Sequence, residues 1–377
     1  MRVQEARSRA ELRRFIFLPE KLYRSDPLWA PPLWAEEWAT FSRRNPLFAH
    51  SEYACLLAWE GSEAVGRILA YVDHAYNRHY DARIGLFGSF ECIDHAETAR
   101  ELFGAAESWL RGRGMERVRG PINPVAESWG FVLEGYEHPP VFMASYNPPY
   151  YNRFVRDNGY DKVKDLIVYE ADARKGYRIP ERFIRFRREL LARRPCLSIR
   201  RLDLRHLRRE AEAICRISNE AIRNNWGFVP LNPAELEAMI RKLKPVADPD
   251  AIWFVEDRGV PVGYCLGFPD LNQILRRIRG RLLPFGFVSL LRGLKAIRDF
   301  RLFGLAVLPE YHGMGLDVLL YMSLFEALAP RGVRLEANYI LEDNPRIRNA
   351  LIKLGLEQSI VYRVYEKTLE PHSGGLP

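Results

Sequence analysis

Residues Gly304 to Pro330 read GLAVLPEYHGMGLDVLLYMSLFEALAP, a strand, loop and helix pattern from which the fold can be predicted. Its apolar start predicts a strand that ends at Pro309, and the glycines within residues 312–315 predict a loop. The apolar run from Leu316 onward predicts a helix that ends before Pro330. A glycine loop before a helix lets the backbone approach a ligand, and the free N–H groups of the first helical turn bind anions. The stretch therefore indicates an anion site, for which a pyrophosphate is a suitable ligand.

The same stretch resembles the acyl-CoA-binding loop of the GNAT superfamily of N-acyltransferases (GCN5-related N-acetyltransferases). In that family the loop usually reads Arg/Gln-x-x-Gly-x-Gly/Ala, and here the frame reads His-Gly-Met-Gly-Leu-Asp over residues 312–317. The central glycine matches at Gly315. His312 stands where a cation is usual, and Asp317 stands where a small residue is usual. An aspartate at a helix start interacts favourably with the helix dipole but repels a pyrophosphate.

The residues that follow also resemble the family, whose members continue with a strand, an asparagine, a short helix and further strands. Residues 334–340 predict the strand, and Asn344 predicts the N-cap of a helix that ends at Gly355. Residues 361–368 alternate well enough to predict a final strand. The resemblance covers residues 196–369.

The first half of the chain repeats the second half at a nearly constant spacing. Four pairs of similar positions are 196 or 197 residues apart: Gly66 and Gly263, Asn147 and Asn344, Gly159 and Gly355, and Tyr169 and Tyr365. Internal repetition at a fixed period is the signature of a duplicated unit. We therefore predict an α/β fold with two tandem GNAT-like domains, each a mixed, mostly antiparallel sheet flanked by helices.

The predicted organisation is a GNAT-like domain over residues 1–175, a basic helical linker over 176–195, an acyl-CoA-binding GNAT-like domain over 196–370 and a loose tail over 371–377. The first copy has no glycine loop between its central strand at residues 87–93 and the next helix, which begins with acidic residues. Because such a helix start rejects a pyrophosphate, we predict that the first domain is a degenerate copy that binds no acyl-CoA.

The resemblance implies ligand-binding roles in the second copy, where strand N–H groups bind the thioester carbonyl and the loop binds the pyrophosphate. The implied acyl-CoA ligands are Leu305, Ala306, Val307, His312, Gly313, Met314, Gly315, Leu316 and Asn344. The region between the first two helices usually builds the acceptor site in this family. The residues expected to bind the acceptor are Asn225, Trp226, Phe228 and Asp270.

Acyl transfer to an amine needs a base for the incoming ammonium and an acid for the departing thiolate. Many family members use a tyrosine as the acid, and Leu351 occupies that position here. The candidates for this chemistry lie on or just after the strand at which the central strands should separate: Glu336, Tyr339 and Glu342. Tyr321, Tyr362 and water are alternative acids.

The composition limits the other possibilities. The chain has 377 residues and a formal net charge of +8, and no apolar run is long enough for a membrane-spanning helix. The N-terminus lacks a signal-peptide core, and the five cysteines form no CxxC pair, which favours a cytoplasmic location with reduced thiols. Neither HExxH, GxSxG nor a P-loop occurs, so we expect no metal site, serine hydrolase or P-loop NTPase.

Two stretches carry much of the basic charge. The first, residues 174–209, is arginine-rich and is either a solvated helical connector or an anion-binding surface. Since no nucleic-acid motif accompanies it, nucleic acid is not an expected partner. The second, residues 276–301, combines arginines with apolar residues. Three interpretations of it remain open: packing against the rest of the chain, covering an acyl chain, or peripheral contact with a membrane.

The predicted function is an acyl-CoA-dependent N-acyltransferase that uses acetyl-CoA or a longer acyl-CoA. The acceptor is an unidentified small-molecule or lipid-like amine. The alternative is a non-catalytic module that has kept the GNAT fold and binds CoA, an acyl chain or a partner. Because the two copies can associate within one chain as an internal pseudo-dimer, the chain is expected to be a monomer or a homodimer.

Overall fold

A computed structural model of the chain describes residues 1–41, 45, 50–124, 128–230 and 232–370. The predicted tail at 371–377 lies outside these described residues. The chain forms two compact units that do not simply follow the sequence order. Unit 1 contains Met1–Leu166, Asn272–Ser289 and the described residues from Ile360 onward, and unit 2 contains Ile167–Leu271 and Leu290–Ser359. The sequence-based division at residues 175 and 196 stays a prediction.

The strands and helices are numbered along the chain. The strands are β1 (Arg2–Glu5), β2 (Ser51–Glu60), β3 (Glu63–Asp73), β4 (Ile84–Cys92), β5 (Arg117–Gly120), β6 (Phe131–Glu134), β7 (Asp161–Asp172), β8 (Leu197–Arg201), β9 (Ile252–Asp257), β10 (Val260–Pro269), β11 (Asp299–Val307), β12 (Arg334–Leu341) and β13 (Glu357–Thr368). The α-helices are α1 (Arg9–Leu22), α2 (Trp34–Thr40), α3 (His74–Tyr80), α4 (Ala96–Arg111), α5 (Tyr150–Asp157), α6 (Glu181–Arg193), α7 (Leu207–Ala221), α8 (Pro233–Leu243), α9 (Asn272–Ile278), α10 (Gly286–Leu294), α11 (Leu316–Leu328) and α12 (Pro345–Lys353).

In unit 1 the strands lie in the order β1-β2-β3-β4-β5-β13, with β6 beside β13. The helix α4 covers this sheet with an apolar face whose residues recur every three or four positions, among them Ala99, Leu102, Phe103 and Ala106. The rings of Phe90 and Phe103 stack with their centroids 4.7 Å apart. Burial of this face provides the main core of the unit.

In unit 2 the strands lie in the order β7-β12-β11-β10-β9-β8. The strands from β8 to β11 are antiparallel neighbours, and β11 and β12 are parallel. The helix α11 is buried on nearly all sides, including Leu319, Leu320 and Met322. A helix that is apolar on all sides lies in the interior of a protein. This position explains why apolar residues occur on every side of α11.

The predicted α/β fold, with mixed, mostly antiparallel strand pairing flanked by helices, is confirmed. The sequence signals at the end of the chain also have the expected structure. The Asn344 side chain caps α12 by accepting a hydrogen bond from the N–H of Ile347 at 3.3 Å, and Pro345 is the first helical residue. Gly355 follows the helix with a φ of 89°, which favours glycine.

Several arginines of the 174–209 stretch have acidic partners within unit 2. On α6, Arg187 forms two hydrogen bonds with Glu326, at 2.5 and 2.9 Å. On β8, Arg200 lies 2.6 Å from Glu256 and 2.8 Å from Glu210. These contacts neutralise part of the basic charge locally. In the described part of the chain, no helix has both the length and the apolar character needed to span a membrane.

Candidate active site

The central strands of unit 2 separate at a defined point. β11 and β12 pair from Asp299–Arg334 to Leu302–Ala337, and the pairing ends there. On its other side β11 stays paired with β10 up to Val307, with an irregularity at Phe303, which β10 bypasses. The edge of β11 after Leu302 therefore has no neighbouring strand on the β12 side among the described residues. Such an edge presents backbone N–H and C=O groups to a ligand.

The glycine loop lies at the end of this open edge. Gly313 and Gly315 have φ values of 82° and 76°, a conformation that a side chain disfavours. Gly315 is also the N-cap of α11, and no side chain caps the helix. The free N–H groups of the first turn are therefore available for an anion. The His312 Nε2–H group donates to the carbonyl oxygen of Val307 at 2.9 Å, which holds the loop against the strand.

One cavity of about 350 Å³ brings the loop, the open edge and the predicted acceptor region together within unit 2. The sequence-predicted residues that line it are Asn225, Trp226, Leu305, Ala306, Val307, His312, Gly313, Leu316 and Asn344. The remaining sequence-predicted residues do not line it: Phe228, Asp270, Met314, Gly315, Glu336, Tyr339 and Glu342.

The cavity also contains residues that the sequence analysis did not single out. Arg346, in the first turn of α12, is exposed and adds a cation to the same cavity lining as the acidic Asp317. Tyr311 also lines the cavity, and its hydroxyl donates to Asp257 at 2.8 Å. The only sequence signal for Arg346 was its position directly after Asn344-Pro345, at a helix N-terminus that favours anions. An arginine there offsets the repulsion that Asp317 exerts on a phosphate.

Three of the predicted residues outside the cavity belong to a buried polar cluster where β11 and β12 separate. Glu336 is fully buried, and its Oε1 accepts a hydrogen bond from Asn338 Nδ2 at 2.6 Å. The buried Arg301 donates from Nε to the Asn338 side chain, and its guanidinium lies 5.0 Å from the ring centre of Tyr339. Asp270 is buried and contributes to the electrostatics of Glu336.

Burial raises the pKa of Glu336 to about 7. Arg334, with Nη2 3.5 Å from Glu336 Oε2, and Arg301 lower this pKa, whereas the nearby Asp270 raises it. Oε2 accepts no hydrogen bond within the described structure. A carboxyl group with a pKa close to neutrality has the proton affinity that a general base requires.

Glu342 lies apart from this cluster. It follows β12 and is partly buried, and its carbonyl oxygen accepts a hydrogen bond from Arg348 Nη1 at 2.9 Å. Phe228 closes a turn, since its N–H donates to the Asn225 carbonyl at 3.1 Å. The described residues bring together no group of three His, Cys, Asp or Glu side chains that could hold a metal ion.

The helix α6 contacts the glycine loop, a contact that the sequence analysis did not anticipate. A Cβ atom on Gly315 would lie 2.6 Å from Cζ of Phe186, whereas a Cβ atom on Gly313 would meet nothing within 4 Å. Both glycines have positive φ values, so alanine is strained at either position. Only Gly315 has the additional steric constraint.

This difference predicts the stability of the two alanine variants. We expect Gly313→Ala to lower the unfolding free energy by about 1–2 kcal/mol through backbone strain. Gly315→Ala should cost a further ~1–3 kcal/mol, because the methyl group overpacks against Phe186. In a Phe186→Ala background that extra cost should disappear. Urea unfolding of the single and double variants measures it, and an unchanged Gly315→Ala penalty in that background would show that Phe186 is not the cause.

The corresponding helix start in unit 1 is closed to anions. The helix α4 begins after His95, whose Nδ1 caps the N–H of Thr98, and Glu97 lies in the first turn. A capping side chain and a carboxylate both occupy the position that a phosphate would take. Only in unit 2, therefore, does the strand–loop–helix junction in the described chain combine positive-φ glycines with an uncapped helix.

The arrangement of the strands, the separated central strands and the glycine loop together define a tandem GNAT fold. Among solved structures, a tandem GNAT protein from the clavulanic acid biosynthesis pathway matches 98% of this chain and 98% of its own length, with a TM-score of 0.60 and 11% sequence identity. That likeness concerns the fold. No family model matches the chain.

The chain belongs to the same family as two bacterial proteins that it resembles along nearly its whole length. It is 33% identical to the Bacterial ceramide synthase of Caulobacter vibrioides over 370 residues, which cover 96% of this chain and 95% of that protein. It is 31% identical to Protein YghO of Escherichia coli over 368 residues, 95% of this chain and 93% of that protein.

Proposed function

We propose that the chain is an acyl-CoA-dependent N-acyltransferase in which unit 2 binds the acyl-CoA and transfers the acyl group to a long-chain, lipid-like amine. The observation that carries this proposal is the single cavity onto which both the open edge of β11 and the uncapped start of α11 open. This pairing suits a ligand with a polar carbonyl at one end and a pyrophosphate further along.

The proposed binding mode follows from the two ends of the cavity. The pyrophosphate interacts with the N–H group of Gly313, with the free N–H groups of the first turn of α11 and with Arg346. The thioester carbonyl accepts from backbone N–H groups at Leu305–Val307, which stabilise the negative charge that develops on its oxygen. The amine loses its proton through a bridging water to a base, for which the buried Glu336, outside the cavity lining, is the candidate. The amine nitrogen then forms a bond to the acyl carbon, the carbon–sulfur bond breaks, and the second proton lost by the nitrogen goes to the departing thiolate.

The acceptor class rests on the relative named Bacterial ceramide synthase. A ceramide is the N-acylated form of a long-chain amino alcohol. Asn225 and Trp226, which line the cavity beside α7, are the candidates for contact with such an acceptor. An indole ring provides a large apolar surface, and an amide provides hydrogen bonds for an amino alcohol head.

The test combines binding with turnover. Calorimetry with acetyl-CoA and palmitoyl-CoA measures affinity, and thiol release in the presence of sphinganine measures transfer. We expect Arg346→Glu to weaken acyl-CoA binding about tenfold or more and Asp317→Asn to strengthen it about tenfold, because each change alters the charge beside the pyrophosphate. Arg209→Glu, at an exposed position on α7 outside the cavity lining, serves as the charge-matched control.

Three outcomes decide between the candidate functions. Binding with thiol release that requires the amine supports the transferase. Binding without release, under every acceptor tried, supports a module that has kept the GNAT fold without catalysis, which is consistent with the buried Leu351 at the position of the family's usual tyrosine. If neither acyl-CoA binds, or if Arg209→Glu weakens binding as much as Arg346→Glu, the cavity is not the acyl-CoA site.

A further inference from the structure

The second basic stretch contains an exposed apolar tip within unit 1. Leu283, Phe285 and Phe287 are 80%, 76% and 48% exposed. Large apolar side chains rarely protrude into water together without a partner. Leu283 and Phe285 lie between α9 and α10, Phe287 lies in the first turn of α10, and we refer to residues 282–287 as the apolar tip.

The base of the tip is held in place by the N-terminal part of unit 1. The backbone N–H of Trp34 donates to the Gly280 carbonyl at 3.2 Å, and Trp34 Nε1 donates to the Arg279 carbonyl at 3.0 Å. Gly280 has a φ of 68°, and a Cβ atom there would lie 2.0 Å from the Pro32 carbonyl oxygen. Arg281 pairs with Glu20 at 2.8 Å. The tip therefore projects from a segment that is fixed in place, residues 279–281 with their partners in the N-terminal part of unit 1, which we call the platform.

The platform is basic. From Asn272 to Ser289 the chain carries four arginines and no acidic residue. Arg277 and Arg279 are exposed. Within the described structure, neither Arg276 nor Arg279 forms an ion pair, and the buried Nε of Arg276 has no hydrogen-bond partner. An anionic membrane has a layer of phosphates above its acyl chains. The arginines suit the phosphate layer, and the apolar tip suits the acyl chains below it.

A cavity of about 720 Å³ lies beside the same platform in unit 1. Its walls include the aromatic rings of Phe17, Tyr23 and Trp29, and its basic lining comes from Lys21, Arg24, Arg276, Arg279 and Arg281. Glu20 and Asp26 are the two acids in the lining, and Glu20 is the partner of Arg281. The Tyr23 hydroxyl donates to the partly buried Glu91, so this hydroxyl already has a hydrogen-bond partner. The cavity thus combines apolar walls with an excess of cations.

We infer that the apolar tip inserts into the interface of an anionic membrane and that the adjacent cavity binds the phosphate headgroup of an anionic phospholipid. Phe285, Phe287 and Leu283 enter the boundary between headgroups and acyl chains. Arg276 and Arg279 contact the lipid phosphate with their guanidinium groups.

The exposure of the tip distinguishes a membrane from the other interpretations of the stretch. Side chains that are 76% and 80% exposed neither cover an acyl chain nor pack in a core. The three apolar side chains fall within five consecutive positions, so they form a point rather than the broad flat patch of a stable protein interface. A small group of protruding apolar side chains with cations beside it is suited to insertion into a lipid membrane.

Vesicle co-sedimentation of the full chain tests this inference. We expect the protein to bind vesicles made of equal parts phosphatidylcholine and phosphatidylglycerol, to bind pure phosphatidylcholine at least tenfold more weakly, and to lose affinity as salt is added. Phe285→Ser should weaken binding about tenfold by removing the inserted ring. Arg279→Glu should weaken binding at least fivefold, because one cation is replaced by an anion.

Matched controls separate the tip from general surface effects. Val260→Ser removes an exposed apolar side chain from the β9–β10 turn, and Arg78→Glu reverses an exposed charge on α3. Both controls should bind as the wild type does. Equal binding to neutral and anionic vesicles, no binding to either, or equal losses in the control and tip variants would each overturn the inference. A protein partner at the tip would give the second of these results.

The inference does not depend on acyl transfer. Membrane binding is measured without acyl-CoA, so failure of the transferase proposal leaves the vesicle result intact, and the reverse also holds. If both succeed, the lipid-like amine and the enzyme meet at the same membrane surface. Thiol release should then increase when sphinganine is presented in anionic rather than neutral vesicles, and Phe285→Ser should remove that increase.

Discussion

We expect the Glu336→Gln variant to lose about 10²- to 10⁴-fold in kcat while it keeps its affinity for acyl-CoA. Glutamine preserves the shape of the buried side chain and the contact with Asn338 but cannot accept a proton. A general base contributes a factor of that size when an ammonium must lose its proton before attack. Single-turnover thiol release, measured beside acyl-CoA calorimetry, separates the loss of chemistry from a loss of binding.

The raised pKa of Glu336 also predicts the directions in which kcat and stability change with pH. Burial raises the pKa of Glu336 to about 7, so wild-type kcat should rise with pH through that value as the base deprotonates. Stability should change in the opposite direction. Because the folded pKa lies above the value of 4.5 expected for an unfolded glutamate, the folded chain holds the proton more tightly. The stabilisation of the folded state by protonated Glu336 is complete below pH 4.5 and is lost as the pH rises to about 7. Glu336→Gln should remove both dependences.

The controls distinguish the roles of the neighbouring candidates. Glu357→Gln, on an exposed residue at the start of β13, should leave kcat unchanged. Glu342→Gln tests the rival carboxylate, and Tyr339→Phe tests the candidate acid. If Glu336→Gln shifts only the unfolding midpoint and leaves the pH–rate profile unchanged, Glu336 positions Asn338 and Arg301 and is not the base. A loss confined to Glu342→Gln would transfer the assignment to that residue.

The parts of the site that the sequence predicted are those fixed by local signals. The uncapped start of α11, the Asn344 cap and the terminating Gly355 depend on residues within a few positions of one another. The fold class followed from the internal repetition and the family resemblance. These signals survive in a single sequence because backbone geometry at a helix end accepts only a few residue types.

The parts that the sequence did not reveal depend on pairings between distant segments. Arg301 meets Glu336 because β11 and β12 are parallel and in register, a relation set by the whole sheet. Phe186 reaches Gly315 from a helix more than a hundred residues earlier. Trp34 meets the 279–280 turn in the same way. Side-chain patterns describe each strand or helix, but such contacts depend on strand order, which loop lengths and hydrophobic periods leave open.

The largest effect on stability is expected for Arg301→Leu. Arg301 is almost fully buried and donates to Asn338. Its guanidinium carbon lies 5.1 Å from the ring centre of Phe303 and 5.0 Å from that of Tyr339. Removing it leaves Glu336 with Arg334 as its nearest cation, so the charged carboxylate becomes more costly to bury. Breaking a buried charge cluster in this way costs about 3–5 kcal/mol. Arg187→Leu, which breaks a more exposed ion pair on α6, should cost less than about 1 kcal/mol.

Two further comparisons test whether the cost comes from the charge of Glu336. Because Arg301 lowers the pKa of Glu336, its loss raises that pKa further, and the variant should be protonated at neutral pH. The Arg301→Leu penalty should therefore shrink between about pH 8 and about pH 5, since a neutral carboxyl needs no cation. In a Glu336→Gln background the penalty should also fall, by a coupling of about 0.5–3 kcal/mol. Equal penalties in both backgrounds and at both pH values would mean that Arg301 stabilises unit 2 through packing alone, and the electrostatic account of the raised Glu336 pKa would then be wrong.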